Sequence, residues 1–315
     1  MATVNTSSGS PHSTPPSAVK AWIEGARLRT LPAAAAPVAV GTAAAVQLGQ
    51  WAPGRAALAL IVALALQVGV NYSNDYSDGI RGTDDHRTGP PRLTGGGMAK
   101  PRTVLAAALG CFALAGLAGL VLLWLSGQWW MLIAGIAAVI AAWFYTGGRT
   151  PYGYMGIGLS EALVFVFFGL MACAGTTWTQ IQQAPWWLWM LASALGANSV
   201  AMLVVNNLRD IPTDTIAGKR TLAVRMGDNR TRWFYAILMI IPTPVLAILG
   251  LHMPITPLIV ALLVAITAII AWQPIGIVAG GAIGRDLIAA LKWTGLSMVW
   301  WAVAICLLLV TPTLA

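Results

Sequence analysis

The chain has 315 residues, of which 58% are hydrophobic and only 9% charged, and its formal net charge is +8. This balance excludes a soluble globular domain, and the scatter of basic residues between apolar runs speaks against nucleic acid as a partner. Several runs are long enough to cross roughly 30 Å of hydrocarbon, so the fold class is all-α: a polytopic membrane protein.

Residues 1–19, rich in Ser, Thr and Pro, are expected to form a disordered tail with none of the features of a cleaved secretory signal. Residues 20–315 form a single transmembrane domain. Apolar runs predict spans near 30–49, 54–72, 103–125, 129–146, 157–176, 187–207, 231–250, 255–272 and 292–312, about nine helices in all. With the amino terminus in the cytoplasm, every Lys and Arg except Arg55 falls on the cytoplasmic side, as basic residues do in multi-pass proteins of the cell membrane. Cys111, Cys173 and Cys306 lie inside spans without metal-ligand spacing and read as small apolar residues. Trp129, Trp130, Trp186, Trp187, Trp189, Trp300 and Trp301 read as an interfacial belt.

Acids are scarce: ten in the whole chain, six of them in two polar segments that emerge from apolar helices, 71–85 and 206–219, with Asp228 a little further on. Ionisable groups at a membrane boundary are costly and mark function by default. In the first segment Asn71, Asp75 and Asp78 are spaced i, i+4, i+7, which places them on one face of a helix continuing through them. Asn206, Asp210 and Asp214 repeat the frame as i, i+4, i+8, although Pro212 is expected to end or kink that helix. Carboxylates brought together in this way repel unless a cation sits among them, and Mg²⁺ fits, using one or two carboxylates, waters and diphosphate oxygens. Arg81, Arg87 and Arg92 in the first loop and Arg209, Lys219, Arg220 and Arg225 in the second are suited to phosphate. Acids for a metal and bases for phosphate, at the mouth of an apolar bundle, describe a receptor for a lipid-tailed diphosphate. Gly95, Gly96 and Gly97 would let the long first loop fold over such a ligand, within reach of His86.

The segments NDYSDGIRGTD (74–84) and NNLRDIPTDTIAGKRTLAVRMG (206–227) resemble the two Asp-rich motifs of the UbiA superfamily of intramembrane prenyltransferases. LRTLP (28–32) and YTGGRTPYGYMGIGLSEALVFVFFG (145–169) extend the likeness over most of the chain. Gly82 stands where the general first motif ends in an acid, with Asp84 two residues later; this ending is similar to that of the 1,4-dihydroxy-2-naphthoate prenyltransferase branch.

The resemblance implies a Mg²⁺-dependent alkylation in which a polyprenyl diphosphate ionises, its allylic cation attacks 1,4-dihydroxy-2-naphthoate, and CO₂ is lost. It implies metal binding by Asp75, Asp78, Asp210 and Asp214, with Asp84 a further candidate, and assigns diphosphate contacts to Arg81, Arg209, Lys219 and Arg220. Asn71, Asn74, Asn206 and Asn207 would orient the carboxylates or ligate. For the acceptor the candidates are Tyr145, Arg149, Tyr152 and the intramembrane Glu161, with a headgroup anchor equally open for Arg149. Two alternatives remain: a sibling enzyme with another acceptor such as 4-hydroxybenzoate, and an ion-coupled transporter, whose coupling acids would sit nearer the bilayer midplane.

Overall fold

The computed structural model of the chain describes residues 18–83 and 92–311, and every regular element among them is helical. The expected tail falls outside these residues except for Ala18 and Val19, which open α1 (Ala18–Ala26). A break at Arg27, whose φ of 53° is left-handed, leads through a 3₁₀ turn into α2 (Pro32–Gln47). Next come α3 (Pro53–Ile80), α4 (Pro101–Ser126) and α5 (Met131–Phe144). A span made of α6 (Leu159–Phe165), a π-helical turn at Val166–Met171 and α7 (Ala172–Ile181) follows. After α8 (Trp186–Ile216) and the short α9 (Leu222–Met226), the chain closes with α10 (Asp228–Ile240), α11 (Pro242–His252), α12 (Pro257–Ala279) and α13 (Leu287–Val310).

Seven of these stretches are long and apolar enough to cross a bilayer, and the pair α1–α2, bent by 49°, makes an eighth if taken as one span. The stretch expected at 129–146 is the 14-residue α5. At about 1.5 Å per residue it is roughly 21 Å long, shorter than the hydrocarbon core, so the expected count of nine is approximate. Two helices outrun their expected ends. α3 continues from residue 72 to Ile80, carrying Asn71, Asp75 and Asp78 on its buried side, and α8 passes through Pro212 to Ile216. The end expected at Pro212 does not occur: the proline costs the one bond to the Leu208 carbonyl, and the helix runs on, as α2 does through Pro37 and α12 through Pro274.

The most enclosed helix is α8. Gly169 in the π-helical turn meets Gly196 of α8 so closely that a Cβ on Gly169 would stand 2.5 Å from the Gly196 Cα, and backbone would have to move. The two helices cross at these glycines. The π turn has a second effect. Leu163, Phe167, Met171, Gly175 and Thr179 all line one cavity, a spacing of four that drifts about 40° per step around a 3.6-residue helix. One extra residue in the wide turn takes up most of that drift and keeps the stripe facing inward.

Polar side chains lock the apolar bundle. In α13, Trp301 is fully buried and donates its Nε1–H to the Pro242 carbonyl at 2.7 Å, while Trp300 donates to Thr267 Oγ1 at 3.1 Å. The expected belt role therefore fails for these two, whose indole N–H groups instead join helices where no water is available. Trp129, Trp130, Trp186 and Trp189 are exposed near helix ends, as a belt requires. Asp228 pairs with Arg232, which also donates to the Ala282 carbonyl just beyond α12; this acid belongs to a helix-end clamp.

At the end of the bundle away from the acidic segments, Arg55 donates to the Thr179 and Gln180 carbonyls, both at 3.2 Å, and to the Leu125 carbonyl. These are the last turns of α7 and α4, where unpaired carbonyls and the negative dipole end favour a cation. Replacing Arg55 with Met is expected to lower resistance to unfolding in mixed detergent micelles by about 2 kcal/mol, the scale of charge-assisted bonds lost at helix ends. Denaturation midpoints followed by circular dichroism against wild type check it.

Candidate active site

The first acidic segment is held by backbone that returns from elsewhere. Asp75 is fully buried, and its two oxygens accept the Leu93 N–H at 3.0 Å and the Thr94 N–H at 2.9 Å. Gly79, one turn on, makes room for this return: a Cβ there would lie 2.4 Å from Thr94 Cγ2 and 2.9 Å from the Gly95 nitrogen. The expected glycine-rich loop thus folds back onto α3, seated by Asp75. Asp84 and His86 lie outside the described residues.

Asp78 is buried one turn further along. Its Oδ1 receives the Tyr154 hydroxyl and stands 3.2 Å from the buried Lys219 ammonium. Burial first, then the charge of Asp78 and the hydrogen bond to it, push the Tyr154 phenol above the usual tyrosine range, so it remains a donor. Lys219 Nζ lies 4.9 Å from the Tyr154 ring centroid and Arg81 Cζ 5.8 Å from it, both within cation–π range. Arg81 also donates to the Thr146 and Gly148 carbonyls, which fastens the α5–α6 connection to the end of α3.

Asn71 donates to the Ala26 carbonyl at 2.9 Å and to Thr30 Oγ1 at 3.1 Å, tying α3 to the α1–α2 break. Asn74 accepts from the Thr146 hydroxyl at 2.8 Å. Both asparagines line a cavity of about 670 Å³ walled mainly by apolar side chains of α2 to α8. At its polar end stand Asn206, Tyr145, Tyr152, Glu24, Arg27, Arg29 and Arg92. Tyr145 and Tyr152 meet edge to face at 5.6 Å, and Tyr152 donates to the Ala141 carbonyl at 2.8 Å. Asp214 is half-buried on α8, and its carbonyl accepts the Lys219 N–H at 2.8 Å.

Other candidates stand apart. Arg209 is buried in a two-pronged pair with Asp210, at 2.7 and 2.6 Å, which makes it that acid's counter-ion before any phosphate arrives. Arg149 and Arg220 are exposed, and Arg149 does not line the cavity. Glu161 is buried on the other side of its helix beside Asn207, Thr231 and Phe234, away from the cavity lining. Among the described residues no three His, Cys, Asp or Glu side chains gather into a ready metal cage. Paired carboxylates of this kind still suit Mg²⁺, which takes one or two protein carboxylates and completes its shell with water and phosphate.

Sequence reasoning gave no site role to Tyr154, Arg27, Arg29 or Thr30, although LRTLP, which contains the last two, helped to carry the likeness. Tyr154 sits inside the 145–169 stretch that carried the likeness, but a tyrosine among apolar residues gave no chemical signal by itself.

The UbiA prenyltransferase family model matches residues 34–277. The chain belongs to that family. Like this family member, a 1,4-dihydroxy-2-naphthoate octaprenyltransferase of Mycobacterium tuberculosis spans nearly the same length: it is 51% identical over 284 residues, covering 90% of this chain and 94% of that protein. The protein of the same name in Escherichia coli is 39% identical over 71% of this chain and 74% of its own length. In fold the family member is similar to a UbiA homolog from Archaeoglobus fulgidus bound to DMAPP and Mg²⁺, with TM-score 0.61 and 15% identity over 90% of this chain and 99% of that one. An apo UbiA homolog from Aeropyrum pernix gives TM-score 0.66 at 12% identity, covering 86% and 96%.

If Asp75 seats the returning loop, Asp75→Ala should speed amide exchange at Leu93 and Thr94 by about tenfold or more, as two buried N–H groups lose their acceptor. Hydrogen exchange with mass spectrometry of the 92–99 peptides reads this directly.

Proposed function

We propose that this family member transfers a polyprenyl group from polyprenyl diphosphate to 1,4-dihydroxy-2-naphthoate in menaquinone synthesis, giving demethylmenaquinol. The observation that carries the reading is the 51% identity to the mycobacterial 1,4-dihydroxy-2-naphthoate octaprenyltransferase along nearly the whole of both chains. The cavity supports it: an apolar chamber of about 670 Å³ with a polar end at Asn71, Asn74, Asn206 and Tyr145 suits an apolar tail and an aromatic head.

In the reaction the allylic C–O bond breaks and its electron pair leaves with the diphosphate. A C–C bond forms to the ring, and the carboxyl group departs as CO₂ in exchange for the prenyl cation. Mg²⁺ is the cofactor of this reading; Asp75, Asp78, Asp210 and Asp214 would hold it, and it supplies neutralisation of the diphosphate's charge. The chain's own residues do the rest. Lys219 and Arg81 favour the anion electrostatically, increasingly as its charge develops, and Arg27, Arg29 and Arg92 add positive charge at the cavity's polar end. The apolar walls exclude water that would quench an allylic cation. Tyr145 and Tyr152 offer ring faces to the aromatic acceptor. The Lys and Arg excess around the acidic segments supports placing this end of the bundle, and the amino terminus, in the cytoplasm.

Membranes carrying the protein, given Mg²⁺, a polyprenyl diphosphate and 1,4-dihydroxy-2-naphthoate or 4-hydroxybenzoate, should yield only the decarboxylated prenyl naphthoquinol by product mass spectrometry. Prenylation of the benzoate alone overturns the acceptor assignment. Asp78→Ala and Asp210→Ala should each cut turnover at least a hundredfold while the protein stays in the membrane, and chelation of Mg²⁺ should abolish it in wild type.

A further inference from the structure

We infer that Tyr154 is a positioning residue that joins the two acidic segments into one diphosphate site, acting through Asp78 and Lys219. The role in turnover rests on the function proposed above; the geometry does not. Asp78 comes from the end of α3 and Lys219 from the turn after α8, more than 130 positions away in sequence. Tyr154 contacts both. Its hydroxyl donates to Asp78 Oδ1, the same oxygen that Lys219 Nζ approaches at 3.2 Å, and its ring lies under that ammonium at 4.9 Å. Its main chain fastens the same turn: the Tyr154 carbonyl accepts the Arg220 N–H at 3.1 Å. Two residues on, Gly156 packs so tightly that a Cβ would stand 2.0 Å from the Arg220 carbonyl oxygen.

One side chain thus fixes the orientation of a carboxylate and the place of a cation that belong to different elements. A lysine on a turn has three rotatable donors and a flexible stem, so without a second constraint its ammonium would spread over many positions. The aromatic face supplies that constraint without spending a hydrogen bond, leaving N–H donors for phosphate oxygens. Arg81 at 5.8 Å from the same ring brings a second cation. Two positive charges around one phenol, with Asp78 paired to the lysine of the two, make a place that an incoming diphosphate would stabilise.

Two variants separate hydroxyl from ring: Tyr154→Phe keeps the face and loses the bond to Asp78, and Tyr154→Leu loses both. Binding of a non-ionising prenyl thiolodiphosphate with Mg²⁺ is measured by calorimetry in nanodiscs, without acceptor, together with thermal midpoints and steady-state kinetics. Expected are a lower kcat for Tyr154→Phe, by about tenfold, with the acceptor KM unchanged, and diphosphate binding weakened further in Tyr154→Leu than in Tyr154→Phe. Wild-type binding and wild-type kcat in Tyr154→Phe overturn the inference, as does equal binding in the two variants. A Tyr154→Leu protein that does not fold leaves the Phe variant to decide. If wild type binds the analogue but forms no prenyl naphthoquinol, the function reading falls while the binding comparison still decides the role of Tyr154.

Discussion

Asp75 and Asp78 are carboxylates buried at the end of an apolar helix, and in that setting each must be met by donors or cations. Neither finds them on α3. Asp75 draws backbone amides from the chain that returns before α4, and Asp78 draws a tyrosine from the α5–α6 connection and a lysine from beyond α8. Three connections therefore converge on two turns of one helix. Much of the end architecture follows, including the seat at Gly79 and the close approach at Gly156, where a side chain would drive the connections apart.

The second segment resolves the same problem differently. Asp210 is paired by its sequence neighbour Arg209, on the same helix. The two halves look alike as sequence but differ in what ligand binding must rearrange. At Asp78 a cation and a phenol already occupy the oxygen a metal would compete for; at Asp210 a guanidinium does. In both cases a metal arriving together with an anionic diphosphate would exchange one compensated charge set for another, at far less cost than opening a bare carboxylate.

Hydropathy made the spans legible because each must hide its backbone in lipid, and that demand writes long apolar runs directly into the chain. The face shared by Asn71, Asp75 and Asp78 was legible for a similar reason, since helical period alone puts them together. Partners were not. Nothing near Asp78 in sequence points to Tyr154 or pairs Asp78 with Lys219, because the choice depends on how two connections pass each other in space. The pairing of Arg209 with Asp210 was hidden by chemistry: an arginine beside an acid reads equally as phosphate ligand and as counter-ion. Trp301 was misjudged because a tryptophan in the last span suits an interfacial belt and a buried helix contact with the same residue type.

Arg55 fixes the end of the bundle opposite the site. It gathers the carbonyl ends of α4 and α7 with a single charge at the end far from the acids, while the site end is assembled from connections that meet at side chains. α3 is thus held at both ends, by Arg55 at its start and by the partners of Asp75 and Asp78 near its finish, so the wall it gives the cavity is fixed along its whole length.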